Sequence, residues 1–322
     1  MECTMLPRVG NRIYWMGRYL EKAEYIARFA KVRYLSLMDL PAELPKEAVL
    51  ASILNLADAY DRYLSTYEEL KTEEVLHYIN IEIANPDSVL AYVVKLRENA
   101  SGVRDNLSPE LWEYINSYYH SLKNYKNIED IQAFNKKIEL NSFIIKGYIQ
   151  DCMIRNEAWM MLSLGIYLER SLQVIRTLLH EMKELPSQKN SDHAIPFENY
   201  DFILLLESLG AYGMFKQIYH RNANRAEVLH FLVMNKEFPK SISYSIATIN
   251  TNLRDLSCFS QQDQASLLSK TEAVLSNFHH FDPEKNIVQT SDFLKKAHDN
   301  LLDLIIEMES TYLNTEPSVA NW

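Results

Sequence analysis

A glutamate and an arginine seven residues apart occur twice in this chain. Glu21 and Arg28 form the first pair, and Glu169 and Arg176 form the second pair, 148 positions later. A separation of seven residues is about two helical turns, so both side chains of a pair share one face of a helix. Such an arginine can bind a carboxylate or a phosphate, and such a glutamate can act as a base or bind an amine.

The residues alone leave two interpretations of the repeated pair open. In the first, the two pairs form a polar network where two repeated halves of the protein meet. In the second, they surround a pocket that binds a ligand. A solvated helix face is the simplest explanation of a single copy, but the second copy stands among apolar residues. Because burying an unpaired charge costs several kcal/mol, we expect these side chains to be mostly buried and bonded to polar partners.

The first pair belongs to a polar stripe on the first predicted helix. Its members follow alternating steps of three and four residues: Asn11, Tyr14, Arg18, Glu21, Tyr25 and Arg28. The other faces of the helix are largely apolar, which indicates that the stripe is buried or lines a cleft. The equivalent stripe in the second half is mostly apolar: Trp159, Leu162, Ile166, Glu169, Gln173 and Arg176. The mid-helical Gly17 and Gly165 predict close helix crossings beside these stripes.

A third polar cluster, Arg97-Glu98-Asn99 with Arg104-Asp105, follows a start signal at Asn85-Pro86. The second half keeps only part of it, so either a single site has evolved in one half or a solvated face has drifted. We take as candidate catalytic residues Glu21, Glu98 and Glu169. The candidate binding residues are Arg18, Arg28, Arg97, Asn99, Arg104, Glu157 and Arg176.

Composition favours an all-α protein. The chain has 322 residues, of which only seven are glycine, too few for the turns of a sheet or for a phosphate-binding loop. Three scattered cysteines and the absence of metal-ligand spacings predict no disulfide framework, no metal site and no cofactor, and the simplest location is the cytoplasm. A net charge of −10 argues against nucleic-acid binding. The sequence contains no apolar segment that is long enough to predict a membrane span.

Two blocks of sequence each occur twice in the chain, and the offset between the two copies is nearly the same for both blocks. This predicts an internal duplication, with pseudo-repeats over about 1–150 and 151–322 of one helical body. We expect this body, residues 1–322, to be a bundle-like monomer. Start signals occur at Thr72, Asn85-Pro86 and Ser108-Pro109. Helical patterns cover about 11–38, 46–63, 129–184, 197–219, 224–235, 239–258, 261–278 and 291–314, with loops over 185–196 and 281–290.

The chain resembles the bacterial alpha-E domain family, helical domains of unknown function. The resemblance is carried by Met5-Leu6-Pro7-Arg8-Val9 and by the run from Ile13 to Glu24, IYWMGRYLEKAE. Further matches are Asn85-Pro86-Asp87-Ser88, Arg97-Glu98-Asn99-Ala100, Arg104-Asp105, Glu110-Leu111-Trp112, Arg155-Asn156-Glu157-Ala158-Trp159, Leu168-Glu169-Arg170 and Met308-Glu309-Ser310-Thr311-Tyr312. The chain departs from the family pattern at Lys22, Asn156 and Ile166, which stand where arginine, aspartate and arginine are usual.

The resemblance implies a partnership with a circularly permuted ATP-grasp ligase and a transglutaminase-like peptidase, and thus a role in forming, modifying or trimming a peptide or amide bond. We expect a non-catalytic partner or substrate-presenting subunit. One alternative is an enzyme that acts on an amide, amine or acyl phosphate at the Glu/Arg cluster, and another is a purely structural scaffold. A partner surface should carry exposed aromatic and apolar residues, for which Trp322 and the Tyr118-Tyr119 pair are candidates, although the tyrosines fit a helix core at least as well.

Overall fold

A computed structural model describes residues 5–39, 46–122, 125, 131–188, 194–220, 223–256 and 260–313. All secondary structure in these ranges is helical, which confirms the all-α prediction. The chain divides into two compact units. We call residues 12–165 the N-terminal unit, and residues 1–11 with 166–322 the C-terminal unit.

The helices of the N-terminal unit are α1 (Pro7–Asp39), α2 (Lys46–Leu56), α3 (Tyr60–Leu64), α4 (Thr72–Asn80), α5 (Val89–Gly102), α6 (Pro109–Leu122) and α7 (Ile131–Cys152). The first residues of α1 belong to the C-terminal unit. Helix α5 packs on α6, and α6 packs on α7. Apolar side chains contribute to this packing, since α6 and α7 carry buried leucine, isoleucine and phenylalanine.

The helices of the C-terminal unit are α8 (Glu157–Gln188), α9 (Ala194–Ser208), α10 (Tyr212–Tyr219), α11 (Arg225–Leu229), α12 (Ile242–Asp255), α13 (Gln261–His279) and α14 (Ile287–Met308). The first turns of α8 belong to the N-terminal unit. Short π-helices continue α11 over His230–Met234 and α14 over Glu309–Leu313. Helix α13 packs on both α12 and α14. Within the described ranges, no helix is both long enough and apolar enough to cross a membrane.

Two predicted helices, 46–63 and 197–219, are each broken into two. At both breaks one residue adopts the left-handed conformation, Asp58 with φ of 52° and Gly210 with φ of 63°. Such a residue ends a helix because it reverses the direction of the chain. The backbone amides that follow can then donate hydrogen bonds to the last carbonyl groups of the helix. The amide of Ala59 donates to Leu54 O at 2.9 Å, and that of Ala211 donates to Leu206 O at 2.7 Å. The same turn thus recurs 152 residues later.

The single helix predicted over 129–184 is also wrong, because the helix is interrupted between α7 and α8. The Arg155 guanidinium donates to the carbonyl oxygens of Gln150 at 2.6 Å and Met153 at 3.2 Å, which satisfies carbonyl groups left over at the end of α7. Asn156 Oδ1 accepts a hydrogen bond from the amide of Trp159 at 3.2 Å and caps the start of α8. Side chains that satisfy both helix ends stabilise the break.

Three other predicted boundaries shift. The cap of α5 is Ser88, whose hydroxyl accepts from the amide of Ala91 at 3.2 Å, and not Asn85. Thr72 is the first helical residue of α4 and not its cap. Helix α14 begins inside the predicted loop 281–290, because the side chain of Asn286 caps it. The start predicted at Ser108 is confirmed.

A group of three aromatic rings recurs in the two units. In each unit a stacked pair with centroids 4.6 Å apart meets a third ring edge-on. The rings are Tyr63, Tyr67 and Tyr78 in the N-terminal unit, and Phe215, Tyr219 and Phe231 in the C-terminal unit. Together with the repeated turn, this group supports the internal duplication, which stays a prediction, as does the single body.

Candidate functional site

The polar stripe on α1 is mostly buried. Burial was one of the two arrangements expected for it, the other being a position along a cleft. Arg18 is fully buried, and Glu21 and Arg28 are only 5% and 6% exposed. Tyr14 and Tyr25 are buried with them, whereas Asn11 is half-buried. Charged groups in this position must be paired, because burying an isolated charge is strongly unfavourable.

Ion pairs between α1 and α7 supply partners for this stripe. Lys146 Nζ lies 2.5 Å from Glu21 Oε2 and also donates to Glu24. Arg28 Nη2 donates to Glu24 Oε1 at 2.5 Å, and Arg28 Nε donates to Glu139 Oε2 at 3.0 Å. Lys31 also donates to Glu139. We call this set the α1–α7 network: Glu21, Glu24, Arg28, Lys31, Glu139 and Lys146.

The α1–α7 network follows an antiparallel register of seven residues. Lys146 meets Glu21 and Glu24, and Glu139, seven residues earlier on α7, meets residues seven later on α1. Only Glu21 and Arg28 of this set are predicted from the sequence as candidate site residues. A signal for the others was present, since Glu139 and Lys146 are opposite charges spaced by one heptad on a long helix.

Three carboxylates and three cationic groups balance within the network. Burial alone lowers the pKa of the Arg28 guanidinium, but the carboxylates of Glu24 and Glu139 outweigh burial, so the pKa lies above its ordinary value. Arg28 therefore stays charged throughout the physiological range. The network fixes charges in place, which suits a structural role better than proton transfer.

Arg18 is held by aromatic neighbours on its own helix. Its Nη1 donates to the Tyr14 hydroxyl at 3.1 Å, and its guanidinium carbon lies 4.7 Å from the centroid of the Trp15 ring. A guanidinium over an aromatic face gains a cation–π attraction that is larger when the group is shielded from water. These contacts orient the fully buried Arg18 side chain within the protein interior.

A close helix crossing lies beside Arg18. A Cβ atom added to Gly165 of α8 would sit 2.1 Å from the Tyr14 carbonyl oxygen and 3.2 Å from the Arg18 amide nitrogen. No side chain fits there, so glycine is required for α8 to approach α1 this closely. The predicted helix crossing at Gly165 is confirmed.

Arg97 and Glu98 lie in a more open environment on α5. Arg97 Nε donates to Asn116 Oδ1 of α6 at 3.1 Å, and the guanidinium carbon lies 5.8 Å from the Trp112 ring and 5.3 Å from the Tyr119 ring. Arg97 is half-buried and Glu98 is exposed. The contacts of Arg97 are thus with α6, whereas the α1–α7 network joins α1 to α7.

The other predicted binding residues of the N-terminal unit are more scattered. Arg104 is exposed and pairs weakly with Asp105, at 3.8 Å. Asn99 is half-buried on α5. Glu157 is half-buried in the first turn of α8, where the helix dipole favours a carboxylate.

In the C-terminal unit, Glu169 is buried and Oε1 accepts a hydrogen bond from Gln173 Nε2 at 3.1 Å. Its neighbour Arg170 is also buried, and Nη1 donates to the Pro239 carbonyl oxygen at 3.0 Å. Arg176 is half-buried. Of the four repeated charges predicted to be mostly buried, three are buried and Arg176 is intermediate.

The two tyrosines considered for a partner surface differ. Tyr118 is buried, and burial raises the pKa of its hydroxyl. Tyr119 is half-buried, with the ring against Arg97. Trp322 lies outside the described residues. Among the residues that the structure describes, no three histidine, cysteine, aspartate or glutamate side chains converge as metal ligands do.

Comparison with known proteins places the chain in a family. The profile of the Alpha-E family, described as a predicted alpha-helical domain with a conserved ER motif, matches residues 5–313. A glutamate followed directly by an arginine occurs in this chain at Glu169–Arg170.

Curated relatives include uncharacterized proteins of Mycobacterium tuberculosis and Mycobacterium bovis. Each is 23% identical over 274 residues, covering 78% of this chain and 30% of the relative. The chain thus spans less than a third of the length of these relatives. No solved structure matches the chain significantly. Because the family profile covers nearly the whole sequence, this chain belongs to the Alpha-E family.

Proposed function

We propose that this chain is a non-catalytic partner or substrate-presenting subunit in a system that makes or modifies peptide or amide bonds. Its partners in this proposal are an ATP-grasp-type ligase and a transglutaminase-like protein, which the family resemblance implies. The main observation that supports this proposal is the α1–α7 network, in which buried acidic and basic side chains neutralise one another.

Charge saturation favours a structural role for Glu21. A general base needs a lone pair directed at the substrate proton, and its efficiency depends on a pKa near the working pH. Glu21 instead accepts from Lys146, which Glu24 shares. Removing that contact to bind a substrate would leave charges unpaired in a buried site, which is strongly unfavourable.

The length of the relatives supports a role beside another polypeptide. In the mycobacterial relatives the matched region is joined to a chain more than twice its own size. A domain found within longer chains commonly acts together with the rest of them. We therefore propose that the Alpha-E body works in contact with a catalytic partner.

The alternative, an enzyme that acts on an amide, amine or acyl phosphate, is favoured by one observation. Arg97 is oriented by a single hydrogen bond and two aromatic rings, and the exposed Glu98 is the next residue. A guanidinium oriented in this way can present its outer edge to an anion. In this alternative Arg97 binds the substrate and Glu98 acts on it, with Glu21 and Arg18 as further members of the site.

Two measurements test the proposal. The first is co-purification of the chain with an ATP-grasp-type ligase of the same genome. The second is ATP-dependent condensation by that ligase, with and without the chain. We expect a stable complex, a change in condensation when the chain is added, and no turnover of amides or acyl phosphates by the chain alone.

Three variants separate the two functions. Glu21→Gln tests the buried glutamate, Glu98→Gln tests the exposed one, and Glu113→Gln is a control on the exposed face of α6. Intrinsic turnover that Glu21→Gln or Glu98→Gln abolishes, and Glu113→Gln keeps, would establish the enzyme. Complex formation that all three variants retain supports the partner role.

A further inference from the structure

Helix α7 carries an exposed stripe of mainly apolar residues. We call it the α7 stripe, and its members follow alternating steps of three and four residues: Ala133, Lys136, Leu140, Phe143, Gly147 and Gln150. The central Leu140 and Phe143 are 56% and 50% exposed. A Cβ atom added to Gly147 would meet nothing within 4 Å. This spacing is that of the contact seam of a coiled coil.

The long helix α14 exposes a face of a different kind. Its exposed residues over 292–303 are all charged: Asp292, Lys295, Lys296, Asp299 and Asp303. A charged outer face is the usual pattern for a helix whose opposite face covers a core. An exposed apolar seam rimmed by polar residues is typical of an interaction surface.

Exposed apolar residues of α1 widen this surface. Glu139 pairs with Arg28 and Lys31, and the same antiparallel register, extended by one heptad, would place Leu35 and Met38 near the Ala133 end of α7. Leu35 and Met38 are both exposed. We therefore include these two residues of α1 in the proposed surface.

We propose that the α7 stripe is the interface of a symmetric homodimer, in which α7 packs antiparallel against α7 of a second copy. A twofold axis between Leu140 and Phe143 places Leu140 opposite Phe143 of the second copy. It also places Lys136 opposite Gly147, whose missing side chain leaves room for a lysine. A twofold interface requires one surface to be complementary to itself, and this stripe meets that requirement.

The charges beside the stripe are also self-complementary. Glu139 and Lys146 flank it on the α1 side, on opposite sides of the proposed axis. In the proposed antiparallel pair of helices, Glu139 of one copy would lie near Lys146 of the other, in addition to the ion pairs that each of them makes with α1. Lys136 lies opposite Gly147, and the exposed Asp151 is one turn further on. Opposite charges across an interface set its register and orientation.

This self-matching is why a second copy, rather than an unrelated partner, is the proposed occupant. A different protein would require no relation between the two ends of the stripe. The dimer replaces the monomer expected from the sequence, and it does not depend on the proposed function.

The test uses the full chain and two variants, Leu140→Lys and Phe143→Glu, with molar mass measured by light scattering over a concentration series. We expect the wild-type chain to be dimeric and each variant alone to be monomeric, with about a tenfold or larger rise in Kd, because each homodimer would place two charges on apolar side chains. Met214→Lys, at an exposed apolar residue of α10, is the matched control and should stay dimeric.

Mixing the two variants tests the antiparallel arrangement directly. In the mixed dimer one layer pairs the new lysine with the new glutamate, and the other layer keeps the native Leu140–Phe143 contact. Dimers should therefore reappear on mixing, which a parallel arrangement does not predict. Because both positions are exposed, each variant should fold. Circular dichroism of each variant checks this.

A wild-type chain that is monomeric at every concentration would overturn the proposal. So would variants that stay dimeric, or a mixture that stays monomeric. A monomeric chain whose ligase binding is lost in Leu140→Lys would assign the surface to the ligase and would also overturn self-association. Loss of ligase activity with the dimer intact would bear on the proposed function alone.

Discussion

Lys146 Nζ lies 2.5 Å from Glu21 Oε2 and also contacts Glu24, so one ammonium group joins two buried carboxylates of α1. The Lys146 side chain is only 19% exposed, which limits the access of water to the three charges. This contact ties the last third of α7 to the middle of α1. We therefore expect the stability of the N-terminal unit to depend on Lys146, which was not among the residues predicted from the sequence.

Lys146→Met should destabilise the protein by roughly 3 kcal/mol, because it leaves two carboxylates in a buried site without their cation. The melting temperature should fall by roughly 5–10 °C for a unit of this size. Lys295→Met is the matched control, since Lys295 is exposed and pairs only with Asp292, at 3.6 Å. Equal melting temperatures for the two variants would contradict a buried network. Adding Glu21→Gln and Glu24→Gln to Lys146→Met should recover part of the loss.

Glu169→Ala should destabilise the C-terminal unit by roughly 3–5 kcal/mol, because it removes a buried carboxylate and leaves its polar neighbours without a partner. One of these neighbours is Gln173, which donates to Glu169 at 3.1 Å. Thermal unfolding followed by circular dichroism measures the effect. A shift of a degree or less would indicate that Glu169 contributes little to the fold.

Gly165→Ala should severely disturb the fold, because the new methyl group would lie 2.1 Å from the Tyr14 carbonyl oxygen. Backbone atoms of two packed helices cannot both move aside, so α1 and α8 must separate locally. Gly213→Ala in α10 is the control, since nothing lies within 4 Å of the added atom. That variant should be neutral or gain up to about 1 kcal/mol from helix propensity. Urea unfolding of both variants gives the comparison.

Stability should fall between pH 10 and 12 in part because of Tyr63. Burial and the nearby Glu74 carboxylate raise the pKa of Tyr63 from 10.0 to about 12. Below pH 10 the hydroxyl is protonated in both states. As the pH rises, the unfolded chain loses this proton first, so unfolding becomes more favourable by up to about 2 kcal/mol.

Tyr63→Phe removes this titrating group. It should lower stability by about 1 kcal/mol at neutral pH, where the hydrogen bond from its hydroxyl to the Glu69 carbonyl is lost. The alkaline decline should become shallower in this variant. An unchanged slope between pH 10 and 12 would show that Tyr63 ionises normally.

The sequence predicted helical class and burial well where periodicity was strong. Arg18, Glu21 and Arg28 are buried because their helix is apolar on most other faces. The turn at Asp58 was missed, since helical periodicity continues across it and an aspartate in the left-handed conformation gives a weak signal. Gly210 gives a stronger signal, which the apolar pattern around it concealed.

The partners of the site residues were less predictable than their burial. Glu139 and Lys146 stand more than 100 positions from the α1 residues that they contact, and no local rule connects such positions. Arg97 also illustrates this point, because its position beside Glu98 gave no indication of the contacts with Trp112 and Tyr119 on the next helix. Pairing across helices depends on register, which follows from packing and not from composition.

The long sequence separation within the α1–α7 network also bears on how the N-terminal unit folds. Its contacts between α1 and α7 join residues 108 to 125 positions apart, whereas the caps at Ser88 and Asn156 join residues three apart. Local contacts form early, and contacts that close long loops carry a larger entropy loss and form later. We expect the network to be absent from the folding transition state. Lys146→Met should therefore accelerate unfolding and leave the refolding rate nearly unchanged. The α1–α7 network would thus slow the unfolding of a unit that is already assembled.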